Sequence, residues 1–524
     1  MLKPNLMVLT ATTITVELVN QDVYESKLMY EVILNGKSLL KNQSVNVFSL
    51  YGLIPDSSYE LELLFQDGSQ AGLSFHTESE SVALNVKRFN AKGDGQTDDT
   101  QAIQTAIMSV PKHGRVIIPA GTYKVNTLFL KSDFTLEIQK GAMLLYDGDF
   151  HKSPILPGYT TTKSGEYYLG SWEGNPLDTY AALMMGIQVE NVQIIGEGVL
   201  DGQGHRWWGY PKVKVGAWRP RLFQLIHSQN ILVQGITFQN SPSWTIHPLF
   251  SKQLRFVDLN ILNPKDSPNT DGLNPESCQD VLILGVYFSV GDDCIAIKSG
   301  KIYLGSLLKK PTEFVTIRNC SMNFGHGAVT IGSEMAGGVK QVRVSQCLFN
   351  ETDRGLRIKT RRGRGIDAIV EGIVFSNIQM EKVLTPFVVN CFYFCDPDGH
   401  SQYVKTKEAL PVDERTPAVR DFLFEDIHCR NSEVAAGFFY GLPEQPIERV
   451  KLKNCNFSFI DEARPGYPAM MDDLPLYCRS GLSFYNVKSL EMENISFTGV
   501  DGPKISLNEI EKLVMDDDYT KNCG

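Results

Sequence analysis

The 524-residue sequence contains no run of about 18 uncharged apolar residues, which excludes a membrane-spanning helix. Cysteine is missing from its first half: all ten lie at or after Cys278, and none has the pair-of-pairs spacing of a zinc site. Cys391 and Cys395 are the closest two, and alone they make no metal site. A basic excess is also missing. The formal net charge of −10 sets nucleic acid aside as a partner, because phosphate binding needs surplus cations. A polyanion would have to be held by a local basic cluster. Met1 to Gln21 has one early Lys and then alternates apolar residues with Thr and Asn, which is strand patterning rather than a leader. The expectation is a cytoplasmic protein, or a secreted or periplasmic one whose leader has been removed.

A hydrophobic content of 42% with 21% charged residues describes an ordinary globular chain, but the length exceeds one compact core. Two domains are expected, at residues 1–80 and 85–524. The first reads as short alternating strands separated by turns such as Asn35-Gly36 and Asp67-Gly68. Leu53, Pro55 and Tyr59 form a pattern that resembles the tyrosine corner of a fibronectin type III β-sandwich. No catalytic set lies there, so a spacer or positioning role is expected. After the linker Glu78–Ser81, helical spacing of Ala102, Ile103, Ala106 and Ile107 predicts a helix capped by Asp98 and Asp99. Such a helix would cover the open end of a solenoid.

From Val116 the chain repeats. Apolar, β-branched segments begin near Val192, Ile231, Leu254, Val281, Val315, Val342, Ile373, Phe422, Val450 and Leu490, mostly at spacings in the twenties. Strands at this period, without helices between them, predict an all-β, right-handed parallel β-helix. Cys320, Cys347, Cys429 and Cys455 share one phase of it and are expected to be buried apolar residues.

Four polar clusters interrupt the pattern on consecutive coils: Asn269-Thr270-Asp271-Gly272, Gly291-Asp292-Asp293-Cys294, Gly325-His326-Gly327 and Arg357-Ile358-Lys359. Asp292 and His326 stand at equal phase after Val281 and Val315, so they should share a face, about 5 Å apart per coil. Asp292 and Asp293 would point to opposite faces of a regular strand, so a backbone turn at Gly291 is required for both to enter one cleft. Three adjacent carboxylates repel, which raises at least one pKa and supplies an acid at working pH. Arg357 and Lys359 alternate along a strand and face the same way, a fork and a point charge suited to a uronate carboxylate.

In this order the clusters closely resemble glycoside hydrolase family 28, the polygalacturonases, over roughly Val86 to the end. The resemblance implies hydrolysis of galacturonic-acid chains with inversion. Asp292 would be the general acid, Asp271 and Asp293 would activate water, and His326 would support the acid. Arg357 and Lys359 would bind the substrate carboxylate, and no cofactor or metal is implied. Asn269, Trp244 and His247 are further candidates for substrate contact, and Tyr440 for the cleft floor. Arg361, Arg362 and Arg364 read equally as a solvated loop or as subsite ligands. Aromatic insertions near Asp149–Tyr180, His205–Pro220 and Phe394–Thr416 suggest a walled groove and exo action at the non-reducing end. Alternatives are endo action, a rhamnogalacturonan or xylogalacturonan hydrolase of the same family, a calcium-dependent pectate lyase, and a non-catalytic binding β-helix.

Overall fold

A computed structural model describes residues 2–163, 165–209 and 216–516. The first seven strands form two antiparallel sheets. One holds Lys3–Leu9, Ile14–Val19 and Val47–Leu50; the other holds Lys37–Val45, Glu25–Leu34, Ser58–Phe65 and Gln70–His76. Alternation places Val16, Leu18, Val32, Leu61 and Leu63 between them, fully buried. The hydroxyl of Tyr59 accepts from the Ile54 amide at 2.9 Å and pins the corner before its strand.

From Ala83 onward most strands join a 28-stranded sheet that winds into a right-handed parallel β-helix. Leu128–Phe129, Met184–Ile187, Phe223–Ile226 and Ile246–Leu249 form a parallel four-stranded sheet of their own, and two short antiparallel pairs lie in the insertion that ends at Tyr180. The ten repeat starts read from the sequence pair in one unbroken row, from Val192↔Ile231 through Val281↔Val315 to Val450↔Leu490. A third row runs Ile295↔Val329↔Leu356↔Phe387 and carries the functional face. Between rows the chain turns through left-handed residues at matching places on successive coils, including Asp258, Asn319, Gln346, Asn377 and Asn454. Asn and Asp tolerate that conformation because their short polar groups bond locally.

The helix Thr100–Ser109 closes the first coil with Ile103, Ala106 and Ile107 fully buried. Each isoleucine contributes roughly 1.5–3 kcal/mol by leaving water. Only one of the two expected caps acts as one. Asp98 accepts from the Thr100 amide at 3.0 Å, whereas the Asp99 carboxylate turns back to the amides of Lys92 and Gly93 at 2.6 and 2.8 Å. The preceding loop had unsatisfied donors, and Asp99 reaches them instead.

The sandwich is fastened along the side of the β-helix. Val8 and Val47 pack on Ile195, Leu232, Val257 and Leu284. Arg318 grips the Glu17 carboxylate with two bonds of 2.6 and 2.7 Å, and Thr13 donates to Gln234 at 2.6 Å. Two turn positions beneath it are glycine. A Cβ at Gly235 would lie 2.0 Å from the Tyr51 hydroxyl, and one at Gly285 would lie 2.6 Å from a Val47 methyl.

Candidate active site

The third row of strands is preceded on each coil by a tight corner; the first three polar clusters occupy these corners, whereas Arg357-Ile358-Lys359 lies within the third-row strand Arg354–Lys359. Gly291–Cys294 joins the strands Tyr287–Val290 and Ile295–Ile297, so Asp292 and Asp293 escape strict strand alternation. Gly291 is needed there because a Cβ would meet the Pro264 and Ser267 carbonyls at 2.6 and 2.5 Å. One coil later the His326 amide donates to the Asp292 carbonyl at 3.2 Å, confirming the shared phase. One coil earlier the Gly272 amide donates to the Asp293 carbonyl at 3.0 Å, which stacks Asp271 beside the pair. The three acids each place one carboxylate oxygen within 4.8 Å of the others. They open into a groove of about 520 Å³, also lined by Trp244, Asn269, His326, Arg357 and Lys359.

Cations surround the acids unevenly. Asp293 accepts from Arg357 Nη1 at 3.1 Å on one oxygen and from Lys359 Nζ at 2.9 Å on the other. Burial is the largest influence on Asp293 and pushes its pKa up, but Lys359 and Arg357 together hold it well below the usual carboxylate range. Asp271 is equally buried and fares differently. Its Oδ2 accepts from Asn274 at 2.9 Å, with the Lys298 ammonium at 4.0 Å. Burial first, then the charge of Asp292, raises its pKa to about 8. One proton is therefore retained among the clustered carboxylates at neutral pH, shared by them rather than fixed to one. His326 bonds Asp353 at 2.9 Å, and that bond raises its pKa above 6.5 against partial desolvation.

Several expected contacts fall elsewhere. His247 is fully buried and does not line the groove; its Nε2 pairs with Glu276 Oε2 at 2.8 Å on the next coil. Burial holds its pKa below 6.5, so it is a neutral brace and not a substrate ligand. Asn269 lines the groove but also adopts φ 57° and accepts from Arg219 at 2.6 Å, so it shapes the corner. Trp244 forms part of the wall, with the Lys298 ammonium 4.3 Å from its ring. Arg361, Arg362 and Arg364 are neither solvated nor in the groove. They are buried and paired with Asp396, Asp398 and Glu444. Tyr440 stacks on Tyr485 at 4.4 Å, outside the groove.

Sequence reasoning missed Lys298 and Glu334, which pair at 2.7 Å in the groove wall, and Lys301, which pairs with Asp396 at 3.2 Å. The signal was present for Lys298. It ends the run Ile295-Ala296-Ile297 as Lys359 ends Arg357-Ile358, and both lysines point outward. Arg354 and Glu173 also line the groove.

A parallel β-helix bearing clustered carboxylates, a histidine and paired cations in one groove belongs to the carbohydrate-active hydrolases built on this solenoid. Residues 116–411 match Glycosyl hydrolases family 28, and residues 83–142 match Rhamnogalacturonase A/epimerase, pectate lyase-like. The chain belongs to glycoside hydrolase family 28. It is 32% identical over 387 residues to a probable polygalacturonase of Vitis vinifera, covering 72% of this chain and 74% of that one. The fold resembles the family 28 exopolygalacturonase of Yersinia enterocolitica, with a TM-score of 0.73, 20% identity and 99% of both chains covered. It also resembles the hyperthermoactive exopolygalacturonase of Thermotoga maritima, with a TM-score of 0.65, 25% identity and 80% and 92% covered.

Proposed function

We propose that this chain hydrolyses α-1,4-linked galacturonic acid chains with inversion, acting from the non-reducing end. The observation that carries the reading is the convergence of Asp271, Asp292 and Asp293 within 4.8 Å, beside Arg357 and Lys359, in one groove. The proton shared by the carboxylate cluster is delivered through Asp292 to the departing glycosidic oxygen, and water held by the then-ionised Asp271 and Asp293 attacks the anomeric carbon. The bond to the leaving oxygen breaks as the water oxygen bonds carbon, and the water's proton passes to the carboxylates.

The carboxylate spacing is shorter than the about 6.5–9.5 Å usual in inverting enzymes and closer to the about 5 Å of retaining ones. The hydrogen bonding argues the other way. Both Asp293 oxygens are occupied by Arg357 and Lys359, and Asp271 is held by Asn274, so neither is a free nucleophile. Water is the available attacker.

Exo action is supported by the insertion near residues 149–180. It puts Glu173 into the groove, and the Lys301 amide bonds the Gly174 carbonyl at 3.1 Å. Behind it Trp172 stacks on Trp218 at 4.9 Å, and Arg221 lies 4.9 Å from Trp172 and 4.4 Å from Trp244. Two relatives of this fold are named exopolygalacturonases. The fibronectin type III-like sandwich of residues 1–80 braces the solenoid away from the groove. The nine described cysteines are all free thiols, which suits a reducing compartment.

Digestion of polygalacturonate tests the proposal, with products separated by length and the first-formed anomer read by NMR. Monomer or dimer of inverted configuration is expected from the start. Early oligomers of intermediate length overturn the exo mode, and a retained anomer overturns the water attack. Asp292→Asn should lower kcat by ~10²–10⁴-fold.

A further inference from the structure

A galacturonate chain carries one carboxylate per ring, so a groove that holds two rings needs a second cation beyond the pair at the cut site. Six groove-lining residues can be positive: Lys298, Lys301, His326, Arg354, Arg357 and Lys359. Five are already matched to protein carboxylates. Lys298 pairs with Glu334, Lys301 with Asp396, His326 with Asp353, and both Arg357 and Lys359 with Asp293. Arg354 differs. Its Nε donates to the Pro468 carbonyl at 3.0 Å, Nη1 to the Asp353 carbonyl at 2.8 Å and Nη2 to the Tyr467 carbonyl at 2.7 Å. These acceptors are neutral, and among the described residues no carboxylate lies within 4.0 Å of the guanidinium. The Asp353 carboxylate, which tempers the charge, is bonded to His326. A guanidinium has five N–H donors, and two stay available on the Nη atoms after these three bonds.

Its place in the fold matches. The Ala328 amide donates to the Arg354 carbonyl at 2.8 Å, which sets Arg354 one coil past the Gly325–Gly327 corner of His326. The order along the solenoid axis is then Asp271, Asp292, His326, Arg354, at about 4.8 Å per coil, a step comparable with one sugar ring. The three carbonyl bonds fix the fork before a ligand arrives, which lowers the entropy lost on binding.

We infer that Arg354 binds the carboxylate of the uronate ring lying on the later-coil side of Asp292, making it a specificity-determining residue. This rests on the galacturonan reading above. Arg354 also ties residues 467 and 468 to the groove, so the test separates charge recognition from anchoring.

The test compares wild type, Arg354→Gln and Arg354→Lys by steady-state kinetics on galacturonate trimer at increasing salt. For Arg354→Gln, KM should rise roughly 10–100-fold, well beyond any fall in kcat, as expected for a lost charge-assisted bond. The slope of log KM against log salt should become shallower, because one charge pair has gone, and Arg354→Lys should restore it. Bonds to neutral carbonyls leave that slope alone. An unchanged slope in Arg354→Gln, or a loss confined to kcat, overturns the proposal. Should Arg354→Gln fail to fold, Arg354→Lys carries the decision: a KM within twofold of wild type together with a shallower slope overturns it. Wild-type inactivity on galacturonate would instead refute the proposed function.

Discussion

Asp271 and Asp293 are neighbours on adjoining coils, equally buried, and their pKa values are pushed in opposite directions. Asp293 has a cation on each oxygen; Asp271 has an amide and a lysine 4.0 Å away that is already engaged by Glu334. Burial acts alike on both, so the number of cations at bonding distance decides the charge. One β-helix face thus supplies a permanent anion and a proton reservoir from the same residue type.

The most damaging way to break this contrast is Lys359→Met, which strips Asp293 of its strongest compensating charge. Loss of kcat by ~10²–10³-fold is expected, in line with removing one preorganised electrostatic partner. Retention of a tenth of wild-type turnover would show that Arg357 suffices. Next comes Gly327→Ala. Its Cβ would stand 3.0 Å from Asp293 Oδ1 and 2.3 Å from Thr330 Oγ1, in the gap through which Arg357 reaches Asp293. Turnover should drop by roughly 10²-fold with the circular-dichroism spectrum unchanged, since small misplacements in such a site are costly.

A smaller, directional effect is expected from Lys298→Met. Lys298 lowers the Asp271 pKa, so its removal should move to higher pH the alkaline limb of the kcat/KM profile, where the carboxylate cluster loses the proton it delivers through Asp292. A shift to lower pH would disprove the assignment of that proton. The gentlest test is thermal. The folded pKa of Asp271 is raised from 3.8 to about 8, so its contribution to stability is full below pH 3.8 and is lost as pH climbs through 8. Asp293 runs oppositely: its pKa is depressed, so its contribution is present above 3.8 and vanishes on acidification. Asp271→Asn should therefore raise the melting temperature at pH 8 and leave it unchanged at pH 4, while Asp293→Asn should lower it at pH 8.

The solenoid was legible because each coil repeats one apolar phase, and counting residues from Val281 and Val315 placed Asp292 and His326 together. Side chains whose partners lie on distant loops were not legible. Arg361, Arg362 and Arg364 looked like free charge because Asp396, Asp398 and Glu444 come 32 to 82 residues later. His247 looked like a ligand because nothing local announces Glu276 on the next coil as its partner. Lys298 was overlooked because it sits in an otherwise apolar strand and carries no motif.

The glycines at positions 235 and 285 bear on how the two parts of the chain are assembled. The turns next along that edge, at Asp258 and Asn319, keep side chains, but at Gly235 and Gly285 the backbone is bare, and Tyr51 and Val47 sit in the notches. A sandwich slid along the axis by one rung would strike a side chain where it now meets none. The two notches work as a key, admitting the N-terminal sheets at a single setting of a scaffold whose rungs otherwise look alike.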